Sequence, residues 1–168
     1  MTEPLVLLLF PLLMAYAAAS DLLSMTISNR VSLLLLAAFA AVALLTGLPA
    51  AALGQHVGAG ALVLAVTFTM FAAGWIGGGD AKLAAVTALW LGWDRLLDYG
   101  LFASLFGGAL TLALLQFRSY PLPRFTSGLP WLLKLHHPKT GVPYGIALAA
   151  AGLAVYPESA LWKAAFAA

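Results

Sequence analysis

Six of the 168 residues are acidic, and two of them, Asp21 and Asp80, lie in apolar sequence where a charge needs a reason. An Asp at the centre of a membrane helix costs about 2.5–3.5 kcal/mol to insert, less toward the interface. An ionisable residue at membrane depth is therefore a functional candidate. Asp80 follows Gly77-Gly78-Gly79. Each glycine weakens a helix by roughly 1 kcal/mol relative to alanine, so the run ends one helix and starts another. Without side chains it also lets other backbone approach, and space for an extended peptide beside Asp80 is expected there. Two carboxyls brought together cannot both ionise readily, so such a pair holds one proton over a broad pH range. The ionised member can take a proton from water while the protonated member hydrogen-bonds a carbonyl, which is the chemistry of amide hydrolysis without a covalent adduct. A coupled pair titrates as a unit, so neither Asp is singled out as the base.

The other acidic residues, Glu3, Asp94, Asp98 and Glu158, fall at segment ends or in loops and read as solvated or interfacial charges. With no cysteine, disulfides, thiolate metal sites and a cysteine nucleophile are excluded. The three histidines, His56, His136 and His137, have no carboxylate at ligand spacing, and no serine is placed near a histidine within the membrane segments. Neither a metal, a cofactor nor a hydrolase triad is expected.

What must position the two Asp residues is a set of membrane helices. The chain is 63% hydrophobic and 8% charged, against about 25% charged in a soluble domain. The runs between His56 and Asp80 and from Tyr99 to Phe117 carry no Lys, Arg, Asp or Glu, and about 20 apolar residues suffice to cross a bilayer core. Six segments are expected: Pro4–Ala19, Val31–Leu48, Val57–Ile76, Ala81–Trp93, Tyr99–Phe117 and Val142–Tyr156. The fourth is short and reaches Leu97 if Asp94 and Arg95 sit at the interface. Continuous Leu and Ala runs lack the alternation of a membrane barrel, so the fold class is all-α and polytopic, a single membrane-embedded domain over residues 1–168. The first segment lacks the basic start of a secretory signal and is expected to be a retained helix that Pro11 bends. Gly54/Gly58 and Gly74/Gly78 have the spacing of close helix packing.

Orientation follows from Lys and Arg. Six alternating spans place Arg30, Lys82, Arg118, Arg124, Lys134 and Lys139 on one side and Arg95 and Lys163 on the other. The richer side is expected to be cytoplasmic, with both termini and His56 outside. Trp131, Leu132 and Leu133 put part of the basic loop on the membrane surface. The small net charge of +2 reports topology and implies no nucleic-acid partner.

Three short elements occur in order along the chain: Asp21 followed by Ile27-Ser28-Asn29, then Gly77-Gly78-Gly79-Asp80-Ala81-Lys82-Leu83, then Val142-Pro143-Tyr144-Gly145. Together they resemble the prepilin (type IV leader) peptidases, GxGD aspartyl proteases with a GxGDxKL motif, an Asp followed by Ile-Pro-Asn, and a C-terminal Pro-Tyr-Gly. The resemblance implies an endopeptidase with Asp21 and Asp80 as its catalytic pair. It implies supporting or substrate-binding roles for Gly77, Gly78, Gly79, Lys82, Asn29, Pro143, Tyr144 and Gly145. The proline of the first motif is Ser28 here, and a serine can support a turn through its hydroxyl. Larger bacterial members add a cysteine-containing cytoplasmic domain and N-methylate the product. This sequence resembles the short Flp/Tad-pilus branch, expected to cleave without methylating.

The implied substrate is a prepilin or pseudopilin precursor, a short charged leader before an apolar helix, cut at the cytoplasmic face of a bacterial inner membrane for pilus assembly or type II-like secretion; archaeal preflagellin-like precursors are the alternative. Two other function classes fit part of the pattern. Intramembrane Asp residues and a glycine-broken helix also suit a small ion-coupled transporter, although no inverted repeat is visible. A noncatalytic membrane assembly subunit is the third. Neither the oligomeric state nor the particular pilin is legible.

Overall fold

The structure is a computed structural model that describes residues 3–123, 126 and 128–167; Arg124 of the basic loop and the side chain of Glu3 lie outside what is described. Among the described residues eight α-helices follow one another: α1 (Glu3–Ser24), α2 (Asn29–Leu45), α3 (Ala50–Ala72), α4 (Gly78–Leu91), α5 (Leu96–Arg118), α6 (Pro130–His136), α7 (Tyr144–Val155) and α8 (Ala160–Ala167). Among the described residues there is no strand. Three of these helices, α1, α3 and α5, are long and apolar enough to cross a membrane, and α2 is a shorter apolar helix. The all-helical polytopic class expected from the sequence is thus the observed one.

The helices end where the backbone leaves the right-handed region. Gly47 (φ 63°), Gly74 (φ 75°) and Gly92 (φ 72°) follow α2, α3 and α4, a conformation that costs glycine little. Gly92 also corrects one expectation. The fourth helix does not extend to Leu97; it stops at Leu91, and a 3-10 turn at Trp93–Arg95 leads into α5. The third helix likewise begins at Ala50, behind Pro49, rather than at Val57, because Pro49 supplies a ready helix entry. His56 is therefore not a loop residue. It is 5% exposed, and its Nδ1 lies 2.8 Å from the Leu89 carbonyl on α4. Pro11 lies inside α1, which stays helical from Glu3 to Ser24.

α4 sits at the centre. From Leu83 onward it carries no charge, and Ala81, Leu83, Ala84, Ala85, Thr87, Ala88, Leu89, Trp90 and Leu91 are all buried, the pattern of a core helix. It packs along α3 and against α2 and α7, and α7 also packs on α1 and α5. Small residues permit the close approaches. A Cβ at Gly60 of α3 would lie 3.1 Å from Leu89 Cβ, and one at Gly152 of α7 would lie 3.0 Å from Thr87 Cγ2. Phe10, Phe39, Trp90 and Tyr156 form an aromatic cluster around the C-terminal end of α4. Its polar atoms are satisfied: Trp90 Nε1 donates to the Leu35 carbonyl (3.0 Å) and Tyr156 Oη to that of Val6 (2.7 Å). Outward-facing leucines such as Leu8, Leu12, Leu44, Leu97 and Leu112 are more than half exposed. So large an apolar exterior calls for lipid rather than water.

Candidate active site

Asp21 lies in the last turn of α1, and Asp80 is the third residue of α4. Although 59 positions apart, they line one cavity of about 260 Å3, together with Met25, Thr26, Ile27 and Gly77–Gly79. The floor of this cavity is the short loop between α1 and α2; its rim is the glycine run that opens α4.

Asp21 is 5% exposed, and its Oδ2 accepts the N–H of Gly145 at 2.8 Å. Gly145 is the second residue of α7, where the first amides of a helix have no intrahelical partner. The carboxylate supplies that partner and sits at the positive end of the helix dipole. Only glycine fits at 145: a Cβ there would lie 2.7 Å from Asp21 Oδ2 and 2.6 Å from Ile27 Cδ1. The Pro-Tyr-Gly element therefore reaches the site through Gly145. Pro143 is fully buried beneath it, whereas the Tyr144 hydroxyl turns to Thr111 Oγ1 on α5 (3.1 Å) and away from the cavity.

Asp80 occupies the first turn of α4, where an acidic residue is favoured by the free amides and the dipole. Its carboxylate folds back toward the helix start: a Cβ at Gly77 would be 2.9 Å from Asp80 Oδ2. The glycine run differs from expectation in what it accommodates. Gly79 faces Ile27, whose Cβ would be 3.1 Å from an added methyl; Gly78 faces the Phe71 ring at 3.2 Å; and Gly77 faces Asp80 itself. Their first use is close packing within the chain, although all three also line the cavity. Gly79→Leu is accordingly expected to displace Ile27 and to lower both membrane accumulation and cleavage, read by immunoblot and by cleavage per unit of protein. Normal values for both would show that Ile27 yields freely.

Ile27 was legible only as part of a motif, yet it is wedged between Gly79 of α4 and Gly145 of α7, so it sets the spacing between the helix that bears Asp80 and the one whose amide holds Asp21. Met25, for which the sequence gives no signal, is the one non-glycine residue with positive φ among those described (58°), and its N–H closes on the Asp21 carbonyl at 2.8 Å. A left-handed non-glycine residue costs roughly 1–2 kcal/mol, a strain spent here on turning the chain sharply at the cavity wall. Ser28 has φ −64°, within the range a proline ring would impose, and its Oγ accepts the Arg30 N–H at 3.3 Å as the N-cap of α2. Serine thus adopts the backbone that the family proline would fix. Lys82 Nζ donates to Asn29 Oδ1 (2.8 Å), tying the start of α4 to the start of α2.

The basic loop braces the same end of the bundle. Lys134 Nζ of α6 donates to the Ser24 carbonyl at the end of α1 (2.6 Å), and Arg118 donates to the carbonyls of Leu135 (2.9 Å) and Gly141 (3.0 Å). His136 Nε2 lies 2.8 Å from the Tyr120 carbonyl, and His137 Nδ1 accepts the Lys139 N–H. No cluster of His, Asp and Glu able to hold a metal occurs among the described residues. Asp94 in the 3-10 turn and Asp98 in the first turn of α5 lie beyond the other end of α4, about 20 Å away along the 14-residue helix, and Asp98 pairs there with Arg95 (3.1 Å).

Residues 8–112 match the model of the Type IV leader peptidase family, a span that holds both Asp residues and more than half of the chain. The chain belongs to the type IV leader peptidase family. This leader peptidase is thus a protease of the membrane, with a prepilin-like precursor as the general class of substrate. No curated protein and no solved structure matched it. The family match ends before α7, so Gly145, whose N–H meets Asp21, lies outside the matched span.

Proposed function

We propose that this leader peptidase is an aspartyl endopeptidase that removes the N-terminal leader of prepilin-like precursors, using Asp21 and Asp80 as its catalytic pair. The observation that carries the reading is the shared cavity, into which helices α1 and α4 each bring one carboxyl. A water molecule between them gives a proton to the ionised carboxylate as its oxygen attacks the scissile carbonyl carbon. The protonated partner hydrogen-bonds the carbonyl oxygen and stabilises the negative charge that develops there. Collapse of the tetrahedral intermediate breaks the C–N bond, and the proton taken from water passes to the leaving amine. The enzyme ends with one proton on the pair, as it began. Gly145 N–H orients Asp21; Gly77, Gly78 and Gly79 bring Asp80 to the cavity; Asn29 and Lys82 join the two motifs.

The catalytic end faces the cytoplasm of a bacterial inner membrane in this reading. Arg30, Lys82, Arg118 and Lys134 gather at that end, and Arg95 and Lys163 at the other, which supports it by the positive-inside rule. Reporters fused within residues 118–139 are expected to read as cytoplasmic and one fused after Glu158 as external; the reverse pattern would overturn this orientation. The 168 residues of the chain contain no cysteine, as expected of the Flp/Tad branch, which cleaves without methylating. Co-expression with candidate prepilins tests the activity. A mobility shift that maps to loss of the charged leader is expected, and intact precursors across bacterial prepilins, pseudopilins and archaeal preflagellins would sink the reading.

A further inference from the structure

Helices α2 and α3 both pack on α4 but make little contact with each other. Between them runs an apolar groove floored by Ala85, Val86 and Leu89. It consists of two voids, of about 330 and 370 Å3, that meet at Leu36. Its outer walls are leucines and Val57, with Leu33, Leu36, Leu44 and Leu64 all well exposed. From Asn29 to Leu44 of α2 the groove extends for about 22 Å, most of the roughly 30 Å bilayer core. No helix of the described chain fills it.

One end is polar. Asn29 and Lys82 stand there, two residues beyond Ile27 and Asp80, which line the catalytic cavity. Among the described residues no carboxylate lies within ion-pair distance of Lys82; its ammonium meets the neutral oxygen of Asn29. Lys82 is exposed in the first turns of α4, so its ammonium can also take an anionic partner.

We propose that this groove receives the apolar helix that follows the scissile bond of the substrate, with Lys82 pairing to a carboxylate in the first turns of that helix. The inference rests on the leader-peptidase reading and deepens it. Continuity decides the occupant: a chain held at Asp21 and Asp80 must re-enter the membrane beside Lys82, and the groove begins there. Its length accommodates about 15 helical residues. Its leucine walls give an apolar helix packing contacts, and the alanine in its floor permits close approach. Lys82 then acts as a specificity residue, favouring precursors with an acidic side chain early in the helix.

The test uses the purified full chain in vesicles with a precursor that it cleaves. Leu36→Trp and Ala40→Trp fill the groove from its exposed wall, and Leu112→Trp on the lipid face of α5 serves as control. Raised KM of about tenfold or more with kcat little changed is expected for the two groove variants, and wild-type constants for the control. Wild-type KM in both groove variants would overturn the proposal while leaving the peptidase reading intact; failure of the wild-type chain to cleave would sink both. Lys82→Glu should lose activity against the natural precursor and regain it against one whose early acidic residue is changed to Lys. Lys82→Met should raise KM in vesicles of any lipid composition; a defect that vanishes in vesicles of phosphatidylcholine alone would show that Lys82 holds an anionic lipid headgroup, and would overturn the assignment.

Discussion

Gly145→Ala is expected to reduce cleavage at least about a hundredfold, a single methyl acting from outside the carboxyl pair. The added carbon would stand 2.7 Å from Asp21 Oδ2, 3.1 Å from Asp21 Cβ and 2.6 Å from Ile27 Cδ1. No rotamer relieves all three contacts, because one is to the β-carbon of Asp21, which is fixed by the backbone of α1. Either α7 moves or Asp21 does, and in both cases the 2.8 Å hydrogen bond from Gly145 N–H is broken. Overpacking of a tight contact costs typically about 1–3 kcal/mol, and a buried carboxylate stripped of its donor adds to that. The thermal midpoint of the detergent-solubilised protein should therefore fall together with activity. Gly108→Ala on α5 meets nothing within 4 Å and is the matched control; alanine is the better helix former, so both stability and cleavage should hold. Wild-type cleavage by Gly145→Ala would mean that Asp21 is not held in place by α7.

Asp21→Asn and Asp80→Asn are expected to abolish cleavage, each by itself. Asparagine keeps the size of the side chain but cannot exchange the proton that water must lose and the leaving amine must gain. At position 21 it can still accept the Gly145 N–H through its amide oxygen, so loss of activity there would not be a packing effect. Both variants should insert normally, since removing a charge near the membrane lowers the insertion cost. Asp94→Asn and Asp98→Asn, at the far end of α4, should cleave nearly as the wild type does. Breaking the exposed Arg95–Asp98 pair costs at most about 1 kcal/mol.

The two catalytic candidates were legible because a carboxylate in apolar sequence is conspicuous and because three short elements occur in family order. Their convergence was not legible from either Asp alone. Gly145 shows why: its place in a Pro-Tyr-Gly element marks it, but its amide reaches Asp21 only because α7 packs antiparallel along α1, a contact 124 residues distant in sequence. Ile27 carries still less signal. An isoleucine is an ordinary apolar residue until it is wedged between two glycines of different helices. His56 was left outside the third segment for a local reason, since polar Gln55 and His56 interrupt the hydrophobic run and disguise the first turns of α3, whereas the Leu89 carbonyl that satisfies the ring lies on another helix. α6 and α8, of seven and eight residues, were too short to stand out by composition. The glycine run was read correctly as a helix junction. What its members face, Phe71, Ile27 and Asp80, depended on packing that spacing does not encode.

The central claim is that Asp21 and Asp80 act as one unit. The rate of leader removal by the double variant Asp21→Asn/Asp80→Asn, measured beside the two single variants at equal protein in vesicles, tests it most directly. Residues that work as a unit are strongly non-additive, so all three variants should share the background rate and the double variant should be no worse than either single one. Substantial residual cleavage by either single variant, with a further drop in the double, would contradict a two-carboxyl mechanism.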